Sequence, residues 1–338
     1  MTTYCTCYVW EKISKIVRTF SDVIKWGLES PGGIALDWIH NLLFWTDSGT
    51  KRVQVATLDG KQSAIVIADD IDKPRAIAVH PGYAYIFWTD WGPVPKIERA
   101  DMDGSNRRNL INESVFWPNG LTLDYTTERM YWADAKHNVI ETSLYDGTDR
   151  RKVINKGLPH PFALTIFEDA IYWTDWHTKS IATANKATGA GLRNIHTNLH
   201  FPMDIHSYHP QRQPAFRNHC NETTENGGCS HMCLPNSKSY SCVCPMGQKL
   251  KSDKRTCQRP DRLLIFARKK DLRLKHLDKD AVHQHEMVIP VDGIKTAVAL
   301  AWDSKTDTVF WTDMEKDTIN KAHWNGSMQQ VLVTTNVG

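Results

Sequence analysis

The sequence has no apolar run near the roughly 20 residues that a membrane helix needs, so no segment is expected to span a bilayer. No signal peptide is expected, because Glu11, Lys12, Lys15 and Arg18 interrupt the first 20 residues. A charge excess of one sign is also missing. The 41 Lys and Arg against 38 Asp and Glu leave +3 over 338 residues, and that gross balance names no polyanionic partner. Neither a nucleic-acid partner nor membrane contact by this chain itself is expected. No Gly-x-Ser-x-Gly elbow, phosphate loop or metal-ligand cluster occurs, so no catalytic residue, metal site or cofactor is nominated and the chain is read as a non-enzyme. Residues 31–216 contain no cysteine.

What is present fits a globular chain of two or three domains, with 41% hydrophobic and 23% charged residues. Trp occurs 13 times, which suggests a repeated packing role. Cys5 and Cys7 stand alone near the N-terminus, while Cys220, Cys229, Cys233, Cys242, Cys244 and Cys257 fall within 38 residues. So short a segment has almost no core, so disulfides are expected to hold it together. The rival is zinc, which takes four ligands in paired short spacings that six cysteines with a lone C-x-C do not offer. Six cysteines allow 15 pairings, and spacing alone does not choose among them. Disulfides imply an oxidising compartment; with no signal peptide, the N-terminus is then incomplete or not the native one.

An aromatic-Trp-Thr-Asp tetrapeptide recurs at 44–47, 87–90, 131–134 (with Ala133 for Thr), 172–175 and 310–313, and the first four start 43, 44 and 41 residues apart. Pro31, Pro74, Pro118, Pro161 and Pro202 keep the same phase. Between the markers run alternating segments such as Val53-Gln54-Val55-Ala56, closed by turn pairs such as Asp59-Gly60 and Asp146-Gly147. Period-two alternation broken by Asp-Gly is a hairpin signature, and four strands per roughly 43 residues make a propeller blade. Large aromatics would fill the wedge between blades, and Thr and Asp would satisfy backbone groups there, so Asp47, Asp90, Asp134 and Asp175 are read as structural.

These repeats resemble the six-bladed YWTD propellers of the low-density lipoprotein receptor family. The cysteine segment, with Asn226-Gly227-Gly228-Cys229 and Cys242-Val243-Cys244-Pro245, resembles the epidermal-growth-factor-like (EGF-like) module that follows each one. The resemblance implies pairs Cys220–Cys233, Cys229–Cys242 and Cys244–Cys257. Calcium is not indicated at the module, because Phe216-Arg217-Asn218-His219 supplies no acid before its first cysteine. Strings such as Trp117-Pro118-Asn119-Gly120 and His209-Pro210-Gln211-Arg212-Gln213-Pro214 narrow the resemblance to the receptor-related branch, and residues 297–326 favour its agrin co-receptor. The implied architecture is all-β: an atypical segment 1–22, propeller blades over 23–216, an EGF-like module over 217–258, and over 259–338 the opening strands and first blade of a following propeller. The implied role is ligand binding on the extracellular side of the plasma membrane, with secreted or matrix proteins such as agrin or Wnt antagonists as ligands. A nidogen-like matrix protein is the alternative, and a calcium-dependent propeller hydrolase a remote third.

Strand parity gathers the loops before strand one and after strand two at one end of a blade. That rim would carry Arg75, Trp91, Trp117, Asn119, Lys136, His137, His160, Phe162, Trp176, His177 and Met203, a hot-spot composition. The plainer reading is that Trp91 and Trp176 cover blade edges. His196, His200, His206 and His209 invite a pH-switch reading. Asn112, Asn221 and Asn325 head glycosylation tripeptides. The blade count leaves the ring either incomplete or permuted. Residues 203–208, read as an inner strand, could join 262–291 in a composite blade that closes a hybrid six-bladed ring, with Val23-Ile24 as a competing outer strand; the alternative is an open, truncated propeller carrying a detached tail.

Overall fold

A computed structural model describes residues 21–222, 224–260, 262–277 and 286–334. Cys5 and Cys7 lie outside the described residues. Two compact units result, one over 29–243 and the other over 244–334 with 21–28.

The first unit holds four antiparallel blades. They are β1 (Pro31–Asp37), β2 (Leu42–Asp47), β3 (Arg52–Thr57) and β4 (Ser63–Ile67); β5 (Pro74–His80), β6 (Tyr85–Asp90), β7 (Lys96–Asp101) and β8 (Arg108–Ile111); β9 (Pro118–Asp124), β10 (Arg129–Asp134), β11 (Val139–Leu144) and β12 (Arg151–Ile154); β13 (Pro161–Phe167), β14 (Ala170–Asp175), β15 (Ser180–Asn185) and β16 (Arg193–His196). The phased prolines open the inner strands, and the inner strands adjoin in chain order. Faces meet through apolar residues of opposite parity. Phe44, Val53 and Val55 of the first blade pack with Ile77, Ile86 and Trp88 of the second. The tetrapeptide Trp residues are almost wholly enclosed: Trp88 and Trp132 have 0% exposure and Trp173 1%. Arg107 and Arg150 lie over the Trp88 and Trp132 rings at 5.3 and 5.4 Å. Inner strands approach so closely that a Cβ on Gly120 would meet the Phe162 carbonyl oxygen at 2.7 Å, backbone that cannot move aside.

The tetrapeptide Thr and Asp act as the repeat pattern implies. Thr46 Oγ1 accepts the Gly33 N–H at 2.9 Å and donates to the Arg75 carbonyl of the next blade. Thr174 Oγ1 does likewise, accepting from Ala163 at 3.1 Å and donating to the Met203 carbonyl at 2.8 Å. Each Asp gathers backbone N–H groups from both rim loops.

Residues 220–257 form three disulfides with the pairing the resemblance implies. The module's first hairpin, β17 (Met232–Pro235) and β18 (Tyr240–Val243), belongs to the first unit. Met232 and Leu234 join the apolar cluster of the first two blades. Ser237 donates its N–H and hydroxyl to Asp101 at 3.0 and 2.8 Å, and Ser241 and Asn236 donate to Asp103 at 2.6 and 2.9 Å.

The second unit contains the short ladder β19 (Lys249–Leu250) with β20 (Cys257–Gln258) and the three-stranded sheet β21 (Leu263–Arg268), β22 (Asp271–His276) and β23 (Met287–Val288). Its four-stranded blade is β24 (Ala297–Asp303), β25 (Thr308–Asp313), β26 (Thr318–His323) and β27 (Gln330–Thr334). Leu272, Leu274 and Ile289 cover Val309, Trp311 and Ala322 of that blade.

Three expectations need correction. Residues 203–208 form no strand: they lie along β13, held by Thr174 and Thr165, where the inner strand of a further blade would sit. The β21–β23 sheet consists of its own three strands, so the composite sixth blade does not form. The described residues therefore contain five four-stranded blades, one three-stranded sheet and the module's two short ladders. Val23-Ile24 forms no strand either. A strand needs a partner edge, which an apolar pattern alone does not supply.

At the end of the first unit opposite the rim, the linker into the module is tied down. Pro214 accepts the Trp38 indole N–H at 2.9 Å, and Phe216 sits 5.1 Å from the His80 ring. His80, outside the histidine group singled out by sequence, has the acid-sensitive setting. It is 2% exposed, accepts the Tyr83 N–H at 3.1 Å through Nδ1, and is ringed by Tyr83, Tyr125 and Tyr145. Burial pushes its pKa down to about 4 from 6.5, against upward pulls from a backbone hydrogen bond and from Glu128. A depressed histidine pKa means that the unfolded chain takes up the proton first, so stability is lost as pH falls below 6.5 and the loss levels off near 4. The expected loss across that window is about 3 kcal/mol, at about 1.4 kcal/mol per unit. Urea unfolding at pH 7 and pH 5 checks it: His80→Gln should show a shallower pH dependence, and equal slopes would refute the assignment.

Candidate ligand-binding rim

The rim is built by the tetrapeptide aspartates. Asp134, 1% exposed, accepts the N–H groups of Phe116 and Trp117 ahead of β9 and of Lys136 and His137 beyond β10, at 2.7 to 3.2 Å. One carboxylate thus binds the loop before strand one to the loop after strand two. Backbone bonds Trp91 N–H to Lys73, Ala135 to Trp117 and Trp176 to His160, each 3.1 Å, repeat the link from blade to blade.

The side chains above these links form one array. Lys73 and Arg75 stand 4.8 and 5.0 Å from the Trp91 ring, and Arg75 also faces Phe162 at 5.1 Å. Phe162 stacks on Trp176 at 4.4 Å, Trp176 on His160 at 5.4 Å, and His160 lies 6.5 Å from Trp117. Lys136 closes the series 5.3 Å from Trp117 and 5.8 Å from Phe116. Cations against ring faces are attracted by the ring quadrupole. Burial lowers the Arg75 pKa, but a guanidinium stays charged. The carboxylates beneath are occupied by backbone, so the exposed chemistry is cationic and aromatic.

The structure brings together Arg75, Trp91, Trp117, Lys136, His160, Phe162 and Trp176. His177 is exposed on the same loops and Met203 is 55% exposed beyond Trp176. His137 holds the Asp134 carboxylate at 3.2 Å. Asn119 differs from expectation: it is buried, accepting from Arg75 at 2.8 Å and donating to the Pro161 carbonyl at 3.4 Å, so it props Arg75 and offers no surface. Trp176 has both roles weighed for it, since its indole N–H bonds the Pro202 carbonyl at 2.8 Å while its ring joins the array. Sequence reasoning missed Lys73, Phe116 at 46% exposure and Phe201 at 69%. Phe116 directly precedes Trp117 and Phe201 directly precedes Pro202, a position beside the phased proline that parity should have included.

Among the acceptor asparagines, Asn112 and Asn325 are exposed, and Asn325 Oδ1 accepts the Ser327 N–H at 3.0 Å. Asn221 is exposed, but Thr223 of its tripeptide lies outside the described residues.

Residues 41–81 and 84–125 match the family model described as low-density lipoprotein receptor repeat class B, and 220–257 match the one described as Coagulation Factor Xa inhibitory site. Over 316 residues, 94% of this chain and 16% of the relative, the sequence is 52% identical to low-density lipoprotein receptor-related protein 4 of Homo sapiens. The chain belongs to the low-density lipoprotein receptor-related protein family. Identity to protein 5 of Mus musculus is 43% over 319 residues, 94% of this chain and 20% of that one, so within the family the sequence is more like protein 4 than protein 5. The chain spans a fifth or less of the length of these receptor-related relatives. A solved chain from a nidogen/laminin complex is 36% identical, covering 54% of this chain and 68% of its own, with a TM-score of 0.49. Among the described residues of this receptor-related chain, no helix is long and apolar enough to cross a membrane.

Proposed function

We propose that this chain is a ligand-binding segment of a receptor ectodomain on the extracellular side of the plasma membrane, with no catalytic role, and that the rim array is its contact surface. The observation that supports this most is the uninterrupted run of cation and ring contacts from Lys73 to Lys136 across three blades. Aromatic and arginine anchors on rigid loops carry most binding energy in protein interfaces. With its own acids engaged below, the rim suits a secreted or matrix protein that presents acidic and apolar side chains. Agrin and secreted Wnt antagonists are the candidates that family membership brings.

Binding of agrin and of secreted Wnt antagonists to the folded chain tests this. Trp91→Ala, Trp117→Ala and Phe116→Ala should each weaken binding by about 2 kcal/mol, roughly 30-fold, with melting temperatures close to the parent's. Trp176→Ala is a poorer probe because it also breaks the Pro202 bond. Undiminished binding by all three folded variants would sink the reading.

A further inference from the structure

The near-balanced net charge conceals a segregation. Residues 249–275 contain 11 Lys and Arg against 3 Asp, a local +8 in a chain of +3, so the remainder is net acidic. The stretch lies within the second unit, away from the rim blades in sequence and independent of the ligand reading above.

Local structure places some of these cations on a disulfide-closed turn and some at one end of the β21–β22 hairpin, while Arg268, Lys269 and Lys270 lie at its other end. The Cys244–Cys257 disulfide closes the β19–β20 ladder, and its turn is fixed by Lys251 N–H to Thr256 at 2.8 Å and Lys254 N–H to Lys251 at 3.0 Å. Lys251, Lys254 and Arg255 are exposed on it. Asp253, the acid of that turn, is itself exposed, and its carboxylate accepts the Arg255 and Thr256 N–H groups at 2.9 Å and the Thr256 hydroxyl at 2.6 Å. Arg262 follows Cys257 by five residues, a span of at most about 18 Å. The Arg262 carbonyl accepts the Leu277 N–H at 3.1 Å, and Lys275 stands opposite Leu264 in the ladder, so the β22 end adds a further cation. Arg259 pairs with Asp307 of the β24–β25 turn.

We propose that this basic end binds a sulfated polysaccharide of the cell surface or matrix. Exposed Lys251, Lys254, Arg255 and Arg262, with half-buried Lys275, follow one another along a short stretch and suit a linear polyanion, whose binding is driven by charge and released counterions. The three disulfides place the module in an oxidising compartment, where such polymers are the polyanions at hand. An anionic bilayer fits less well. Membrane-surface segments present a broad continuous apolar face, and the large exposed hydrophobics among the described residues of 249–277 are three leucines far apart in sequence, Leu250, Leu264 and Leu277.

Heparin is the probe. The full chain should stay on immobilised heparin at physiological salt and leave at higher salt, with little retention on unsulfated heparosan. The triple variant Lys251→Ala, Lys254→Ala, Arg255→Ala should bind heparin at least about 10-fold more weakly. Removing the same charge from exposed lysines of the first unit, as Lys61→Ala, Lys152→Ala, Lys156→Ala, should change retention little. If the first triple variant folds poorly, Arg262→Ala with Lys275→Ala replaces it, since both lie outside the disulfide-closed stretch 244–257. Equal shifts from basic-end and control variants, no shift from the basic-end variants, equal retention on heparosan, competition by polyglutamate as effective as by heparin, or tighter capture by phosphatidylserine vesicles each overturns the proposal.

Discussion

Asp134→Ala should cost the first unit about 4 kcal/mol of stability, read as a lower urea midpoint. Its carboxylate accepts four backbone N–H groups from two loops, and alanine would leave those donors without their acceptor. A buried donor stripped of its partner costs about 1–3 kcal/mol, and water can reach some of these. Asp134→Asn should fall between, because its amide nitrogen would face an N–H where the second oxygen stood. The rim should suffer with the fold, since the same carboxylate sets the approach of Phe116 and Trp117 to Lys136. A loss below about 1 kcal/mol would mean that water replaces the carboxylate, and the structural reading of the tetrapeptide would fail.

Leu234→Ala should destabilise by about 3 kcal/mol, within the range for a fully enclosed leucine. Leu234 is 1% exposed, and it belongs to the apolar cluster of the first two blades. Reduction of the three disulfides should therefore do more than unfold residues 220–257. Hydrogen exchange should rise in the first and second blades, which share the Met232 and Leu234 cluster, and stay low in the third and fourth, whose joint apolar cluster contains no module residue. The cysteine-free sequence of the blades argues for indifference to reduction throughout. Uniformly unchanged exchange in all four blades would restore that simpler view.

Much of this fold was legible because its signals are local. Alternation, Asp-Gly turns and a tetrapeptide at a fixed phase each reflect hydrogen bonds between residues close in sequence, and the blades formed where the pattern put them. That the loops before strand one and after strand two share one end followed from strand parity, as the Asp134 links show. What escaped notice depends on distant partners. Ser237 meets Asp101 across 136 residues, and nothing near either residue advertises the match. Asn119 occupies a rim position in sequence but turns inward because Arg75, 44 residues earlier, needs an acceptor. Residues 203–208 carry a strand's composition, yet a strand is a property of two edges, and they form none. The basic end was invisible to a net charge that averaged it away.

Thr46 and Thr174 each reach the backbone carbonyl of the residue just past the following phased proline, at Arg75 and Met203. Those two side chains have nothing in common, and the hydroxyl touches neither. A repeat that recognises its neighbour by main chain places no demand on the neighbour's identity at that point. Such units can be duplicated, lost or recombined without redesigning each junction, while the rim side chain at that position stays free to vary. The third blade, with Ala133 in place of the hydroxyl, records that the clasp itself can be given up at a junction whose apolar faces already fit.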